Sequence, residues 1–282
     1  MQYLNVLSEA IQKSEDDKQR SLSVFELISE LGIVRGNGHT PKNIIQFWDE
    51  KENIPEDVQE CMDSWKKLGE IDFYYQNFSQ KTALEYISTN LTDSHVKAFN
   101  NCYHPAMKSD YFRLCYIYCS GGMYVDCDEV YSGQCIDNYF EDSALKLNPL
   151  CYDLKTDTMI PYEEFIGRPI RKSCIYYFNN NPLIAGPRNP IIGYALNRAT
   201  GILTTLNNDD LPEIQSTAGP GNITASVIFS YYHNKNLNVF RVLMDWERIS
   251  NNVWSLSYRN DKRNWRLSNR VRFDSIKVQG NE

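Results

Sequence analysis

Residues 109–130, SDYFRLCYIYCSGGMYVDCDEV, constrain this chain more than any other stretch. Gly121-Gly122 stops a helix, the apolar MYV after it makes a short buried strand, and Asp126 and Asp128 stand at that strand's carboxyl end. Ahead of the glycines the spacing predicts a helix from Ser109, as its cap, to about Cys119. Asp110 would lie in its first turn, and Tyr111, Leu114, Cys115 and Tyr118 on one apolar face. Asp110 and Arg113 are three apart and share a different face, where the bland reading is a weak surface ion pair. Asp126 and Asp128 are expected to have different tasks. Two carboxylates at a strand end suit a hard divalent cation, Mg²⁺ or Mn²⁺, held for a phosphate-bearing ligand.

The surrounding elements alternate. NIIQFW, 43–48, reads as a first core strand after Pro41, and IPEDVQECMDSWKKLG as a helix with Pro55 at its start and Gly69 as its stop. IDFYYQN reads as a second strand and QKTALEYIS as another helix. Strand alternating with helix predicts a parallel, Rossmann-like sheet, whose ligands bind outside the carboxyl ends of its strands. Residues 1–31 carry apolar positions at helical spacing (Leu4, Leu7, Ile11, then Val24, Leu27, Ile28, Leu31), interrupted by KSEDDKQR, which predicts a helical hairpin beside the main domain. The division expected is 1–40 as a helical extension and 41–282 as one α/β domain.

Several classes are disfavoured. GIVRGNGHTP has glycines but no G-K-[ST] at phosphate-loop spacing. The formal charge of −7 speaks against bulk nucleic-acid binding, although nine Lys/Arg against five Asp/Glu from Arg241 onward leave the C-terminal part basic. Eight cysteines include no C-x-x-C pair, and His39, His95, His104 and His233 lack zinc-hydrolase spacing. His104, before Pro105, has a capping or surface role as its default. With no signal-like start and no run near the ~20 apolar residues of a span, the expectation is a cytoplasmic protein with free thiols, at most peripheral to the inner membrane.

The combination S-D-x-x-R, G-G and an apolar strand ending in D-x-D resembles the DXD-containing sugar transferases, Och1-like and capsular-polysaccharide, and more distantly the glucosyltransferase domains of large clostridial toxins. PKNIIQFWDEKENIPEDVQECMDSWKKL, NNPLIAGPRNPIIGYAL and STAGPGNIT are similar to further segments in the same order, so the resemblance spans roughly 41–270. It implies a GT-A fold and retaining, Mn²⁺-dependent (or Mg²⁺-dependent) transfer of a hexosyl or N-acetylhexosaminyl group from a UDP-sugar donor. A glycan or lipid-linked glycan would be the acceptor, a protein the toxin-like alternative. Carried over by position, Trp48 would stack on uracil and Asp110 would bond ribose or the donor sugar. Arg113 would meet sugar hydroxyls or the diphosphate, Asp126 ribose and indirectly the metal, and Asp128 the metal directly. Where the family often ends in His-Trp or an acid, this chain has Asn264-Trp265, with Asp261 a turn earlier and Ser268 beyond. Asn264 or Asp261 would complete the metal site; Arg263 and Arg266 would clamp the diphosphate beside Trp265.

Two other classes use the same residues. MYVDCDEV also fits a haloacid-dehalogenase-like phosphatase, with Asp126 as nucleophile, Asp128 as general acid and NNDD at 207–210 as a later magnesium motif. The other is a sugar-nucleotide-binding protein without turnover.

Overall fold

The structure is a computed structural model and describes residues 2–30, 36–207, 210–234, 240–271 and 273. Leu31, residues 32–35 of the loop read at 32–41, and Asn208 and Asp209 of NNDD lie outside these residues. Six strands form the central sheet: β1 Asn43–Phe47, β2 Tyr74–Phe78, β3 Gly122–Tyr124, β4 Leu145–Leu147, β5 Leu183–Ala185 and β6 Phe240–Val242. Their order is β6-β4-β5-β3-β1-β2. β1 pairs in parallel with β2 and β3, and β4 with β6, while β5 runs antiparallel to both β3 and β4. Five strands therefore run one way and one against them, a mostly parallel α/β sheet of the GT-A-like kind that the sequence predicts.

The early elements fall where their patterns put them. β1 is followed by a helix at Glu56–Lys66 whose N-cap is Pro55, and the chain then tightens into a 3₁₀ turn through Gly69. After β2, Ser79 caps the helix Gln80–Asn90 by accepting from the Thr82 N–H at 3.3 Å. Two N-terminal helices, Gln2–Glu15 and Asp17–Glu30, break at the charged Asp16. The second is part of the main core: Val24, Leu27 and Ile28 are buried in it, and Phe25 packs on Tyr176 at 4.9 Å between ring centroids.

One boundary differs from the sequence reading. The long helix runs Pro105–Ser120, with Pro105 in its first turn and the His104 side chain as cap, accepting from the Ala106 N–H at 3.1 Å. Ser109 and Asp110 are therefore interior and buried, not the cap and first turn. The physical reason is that Pro105, needing no N–H partner and with φ already helical, starts the helix a full turn earlier. The helix is covered nearly all round from Met107 to Ile117. Phe112 lies on the sheet, 4.7 Å from Phe78 and 5.9 Å from Phe47 between centroids. Burying one such ring contributes about 1.5–3 kcal/mol.

At the helix end Gly121 has φ +67° and Gly122 φ +120°, and a Cβ on Gly122 would come within 2.6 Å of the Asn43 carbonyl. The paired glycines thus let β3 turn out of the helix and lie flat against β1. A three-stranded antiparallel sheet (Thr158–Ile160, Pro149–Asp153, Cys174–Phe178) lies outside the main one. A two-stranded ladder pairs Glu129–Tyr131 with Ser250–Asn252, which brings the basic C-terminal stretch onto the segment just after β3.

Candidate functional site

β3 ends at Tyr124 and delivers Asp126 and Asp128 beyond its carboxyl end; the two carboxylates face different neighbours because the chain has left the strand, in which positions two apart would share a face. Asp126 Oδ1 accepts from Arg113 Nη2 at 2.8 Å, and its backbone N–H donates to Asn181 Oδ1 at 3.0 Å. Gln46, buried in the middle of β1, donates from Nε2 to the Asp126 carbonyl at 3.1 Å and accepts from the Tyr75 hydroxyl at 2.8 Å. A polar side chain inside a parallel strand is thus fully satisfied, and it fixes the backbone of the first aspartate.

Arg113 is only 3% exposed, so the surface ion pair of the sequence reading is instead a buried network. Its Nη2 lies 3.1 Å from Asp110 Oδ1 and donates to Ser109 Oγ at 3.2 Å; its Nη1 donates to the Asn180 carbonyl at 2.9 Å. The guanidinium sits 4.0 Å from the Tyr124 ring centroid. Burial alone would lower its pKa, but Asp126, Tyr124 and Asp110 together hold it above the usual arginine value. Burial pushes the Asp110 carboxyl up to about 6, against Arg113, which favours the charge. The Asn180 amide donates to Asp110 Oδ1 at 2.8 Å. On its other side the backbone of Gly219 is so close that a Cβ there would stand 2.8 Å from Asp110 Oδ2. That glycine belongs to the STAGPGNIT segment, which therefore packs on the Asp110 carboxylate.

Asp128 points to the C-terminal stretch. Its Oδ2 accepts from the Tyr258 hydroxyl at 2.7 Å and from Arg259 Nη2, while Asn252 Nδ2 reaches Oδ1 at 3.4 Å. The Val253 N–H donates to its carbonyl at 2.8 Å. Burial and the neighbouring Asp126 raise its pKa, with Arg259 opposing. Asp126 is the more open of the two, its side chain 35% exposed against 13% for Asp128.

The remaining sequence candidates are close in part. Trp48, just past β1, is 8% exposed and packs edge-on to Tyr258 at 5.5 Å, with the Arg263 guanidinium 5.5 Å from its ring. A cleft of about 610 Å³ opens beside it between Asp49–Pro55 and Asp261–Arg263. Asp261 is committed to Arg263, whose Nε donates to Oδ2 at 2.9 Å. Asn264 caps the short helix Trp265–Ser268 by accepting from the Arg266 N–H at 3.1 Å, and its amide donates to the Arg259 carbonyl at 2.7 Å. Arg266 is exposed and stacks over Trp265 at 4.8 Å and Trp254 at 5.2 Å. Ser268 is buried and bonded to His104 Nε2 at 2.7 Å. Asp110, Arg113, Asp126 and Asp128 are thus brought together, whereas Asn264 and Asp261 are held by their own surroundings. Among the described residues no group of three or more His, Cys, Asp or Glu side chains is arranged to hold a metal.

Sequence reasoning missed several members of this network: Gln46, Glu129, Asn180, Asn181, Ser250, Asn252, Tyr258 and Arg259. The only local signals were the third acid of DCDE and the asparagine run before Pro182. Glu129 is buried, accepting from Asn181 Nδ2 at 2.7 Å and from Ser250 Oγ at 2.5 Å. Burial pushes its carboxyl from 4.5 up to about 8. A folded-state value above the unfolded one means that its stabilising contribution is complete below pH 4.5 and is lost as pH rises toward 8. Each pH unit in that window removes about 1.4 kcal/mol at most. Glu129→Gln, which copies the neutral acid, is therefore expected to unfold at higher denaturant than the parent at pH 8 and to match it near pH 4.5. Urea titrations of both proteins in metal-free buffer test this, and a difference that does not change with pH would show that Glu129 ionises freely in the folded state.

Residues 55–145 match the family model described as glycosyltransferase sugar-binding region containing DXD motif. The chain carries that region across the helix Glu56–Lys66, β2, the long helix, the paired aspartates and β4. Among solved structures, one described as PaToxG Glycosyltransferase is similar at 18% identity with a TM-score of 0.46, over 84% of this chain and 82% of that one. No curated protein matches.

Proposed function

We infer that this chain is a retaining, divalent-cation-dependent glycosyltransferase that moves a hexosyl or N-acetylhexosaminyl group from a UDP-sugar to a glycan or lipid-linked glycan. The transferase domain would be residues 41–282, with 1–40 as a helical extension. The observation that carries the reading is the buried Asp110–Arg113–Asp126 network, set beside Asp128 within the matched DXD region. An ion pair this costly to desolvate is hard to explain as surface decoration.

The donor chemistry of the site fits a hard divalent cation: Asp126 and Asp128 are adjacent carboxylates, and Asp126 is open to solvent on one side. Mn²⁺ or Mg²⁺ held by these two would neutralise charge gathering on the departing diphosphate. Arg113 orients Asp126 through the Nη2–Oδ1 contact. Asp110, with one oxygen accepting from Asn180, would accept from a ribose or donor-sugar hydroxyl. Trp48, next in sequence to the cleft-lining Asp49, would stack on a pyrimidine.

Same-face transfer is the reading that the commitments of the four network acids support. A double displacement needs a carboxylate free to attack the anomeric carbon. Asp110 is held by Asn180 and Arg113, Asp126 by Arg113, Asp128 by Tyr258 and Arg259, and Glu129 by Ser250 and Asn181. The departing diphosphate is then the base that takes the acceptor's proton, and the protein contributes charge stabilisation and orientation.

A thermal-shift series with UDP, GDP, CMP and dTDP, each with and without Mn²⁺, tests the reading. The expected result is stabilisation by UDP that needs the cation, of about 2.7 kcal/mol at a hundredfold excess over Kd. Absence of any nucleotide-specific shift would remove the donor assignment; turnover of p-nitrophenyl phosphate with Mg²⁺ would favour the phosphatase instead.

A further inference from the structure

Arg259 holds the Asp128 carboxylate through its Oδ2. It shares Asp128 Oδ2 with the Tyr258 hydroxyl, and both members of the pair are only 13% exposed. The guanidinium is placed by the Trp254 ring at 4.4 Å and the Tyr258 ring at 5.5 Å. The turn that carries it, Ser257–Asn260, follows the strand Ser250–Asn252 that is laddered to Glu129–Tyr131. Its Nε–H is buried and has no acceptor among the described residues, so the residue holds one donor in reserve.

The charges make this arrangement conditional. Asp128 is paired with Arg259, and Asp126 shares Arg113 with Asp110, so each of the two aspartates already has a cationic partner. A divalent cation arriving alone would have to break a nearly desolvated pair and then sit beside the displaced guanidinium. A cation arriving with a diphosphate brings the anion that the guanidinium then needs, and Arg–phosphate contacts are among the strongest charge-assisted hydrogen bonds. Arg263 is tied to Asp261, and Arg266 stacks on Trp254 and Trp265, so Arg259 is the basic side chain of this stretch that contacts the paired aspartates.

Resting on the transferase reading of the same site, we propose that Arg259 exchanges partners: it holds Asp128 in the nucleotide-free protein and moves to the diphosphate of a bound nucleoside diphosphate. Cation binding at Asp126 and Asp128 is thereby coupled to nucleotide binding. Arg259 acts as a competitor of the cation in one state and as a phosphate ligand in the other.

The two roles give Arg259→Gln effects of opposite sign. Free Mn²⁺ is followed by its electron paramagnetic resonance signal, with and without UDP, for the full chain and for Arg259→Gln. The parent protein is expected to take up Mn²⁺ at least about tenfold more tightly when UDP is present, the scale of one hydrogen bond to a charged group. Arg259→Gln should bind Mn²⁺ alone about tenfold more tightly than the parent, and Mn²⁺ with UDP about tenfold more weakly. A variant that weakens both, or changes neither, overturns the exchange. If Arg259→Gln does not fold, the parent protein still decides: Mn²⁺ bound equally well with and without UDP refutes the coupling while leaving the donor site standing. No Mn²⁺ uptake even with UDP removes the transferase reading itself.

Discussion

Arg113→Ala is expected to destabilise the protein by about 3–5 kcal/mol, the usual consequence of removing one member of a buried ion pair. The guanidinium is 3% exposed and meets Asp110, Asp126, Ser109, the Asn180 carbonyl and the face of Tyr124. Its removal leaves Asp110 buried against Gly219 with only the Asn180 amide for support. The Asp110 carboxyl, already pushed up to about 6, would rise further, so the loss should grow as pH climbs above that value and the uncompensated charge must form. Urea unfolding at pH 5 and pH 8 reads both the size and the sign. A loss below about 1 kcal/mol would mean that the pair behaves as an ordinary solvated one.

Asp128→Asn should remove activity and, because Arg259 loses its carboxylate partner, also lower stability, by less than truncation to alanine would. Asparagine can still accept from the Tyr258 hydroxyl, and the Val253 N–H bond to the carbonyl of residue 128 does not involve the side chain. What is lost is the negative charge that would hold a cation against the leaving diphosphate. Sugar transfer and hydrolysis of the donor by water should therefore fall together, by roughly 10²–10³-fold or more, the scale of removing one preorganised electrostatic contact. Assays of both reactions with UDP-sugars, alongside product analysis by NMR, measure this. Loss of transfer with hydrolysis intact would move Asp128 from leaving-group stabilisation to acceptor placement, and an inverted β product would exclude same-face transfer.

Among the described residues no helix is long and apolar enough to cross a membrane. The exposed Trp254 and Leu267 lie on the same basic stretch as Arg259 and Arg266.

The sequence by itself determined the elements whose signals are local. β1, the helix after Pro55, β2 and the Ser79-capped helix follow from apolar spacing and capping chemistry that act within a few residues. The glycine pair was equally legible, because a backbone at φ +67° and +120° admits few other residues. So was the placement of two carboxylates past a buried strand. Ser109 misled because a serine before an acid is a good local cap, and only the completed helix shows that His104 and Pro105 begin it earlier.

Tertiary structure decided everything that depends on partners far along the chain. Asp128 finds Tyr258 and Arg259 more than a hundred residues away, and Asp126 finds Asn181 across the antiparallel β5 segment. No periodicity encodes such a meeting, since each side chain alone reads as an ordinary surface polar residue. Burial then changes the chemistry: Arg113 becomes a desolvated counterion, Glu129 a largely neutral acid, and Asn264 a helix cap instead of a free oxygen donor. The spacing supplied the charged groups; the sheet order and the C-terminal ladder decided which of them face one another, because Coulomb and hydrogen-bond energies depend on distance and solvent access.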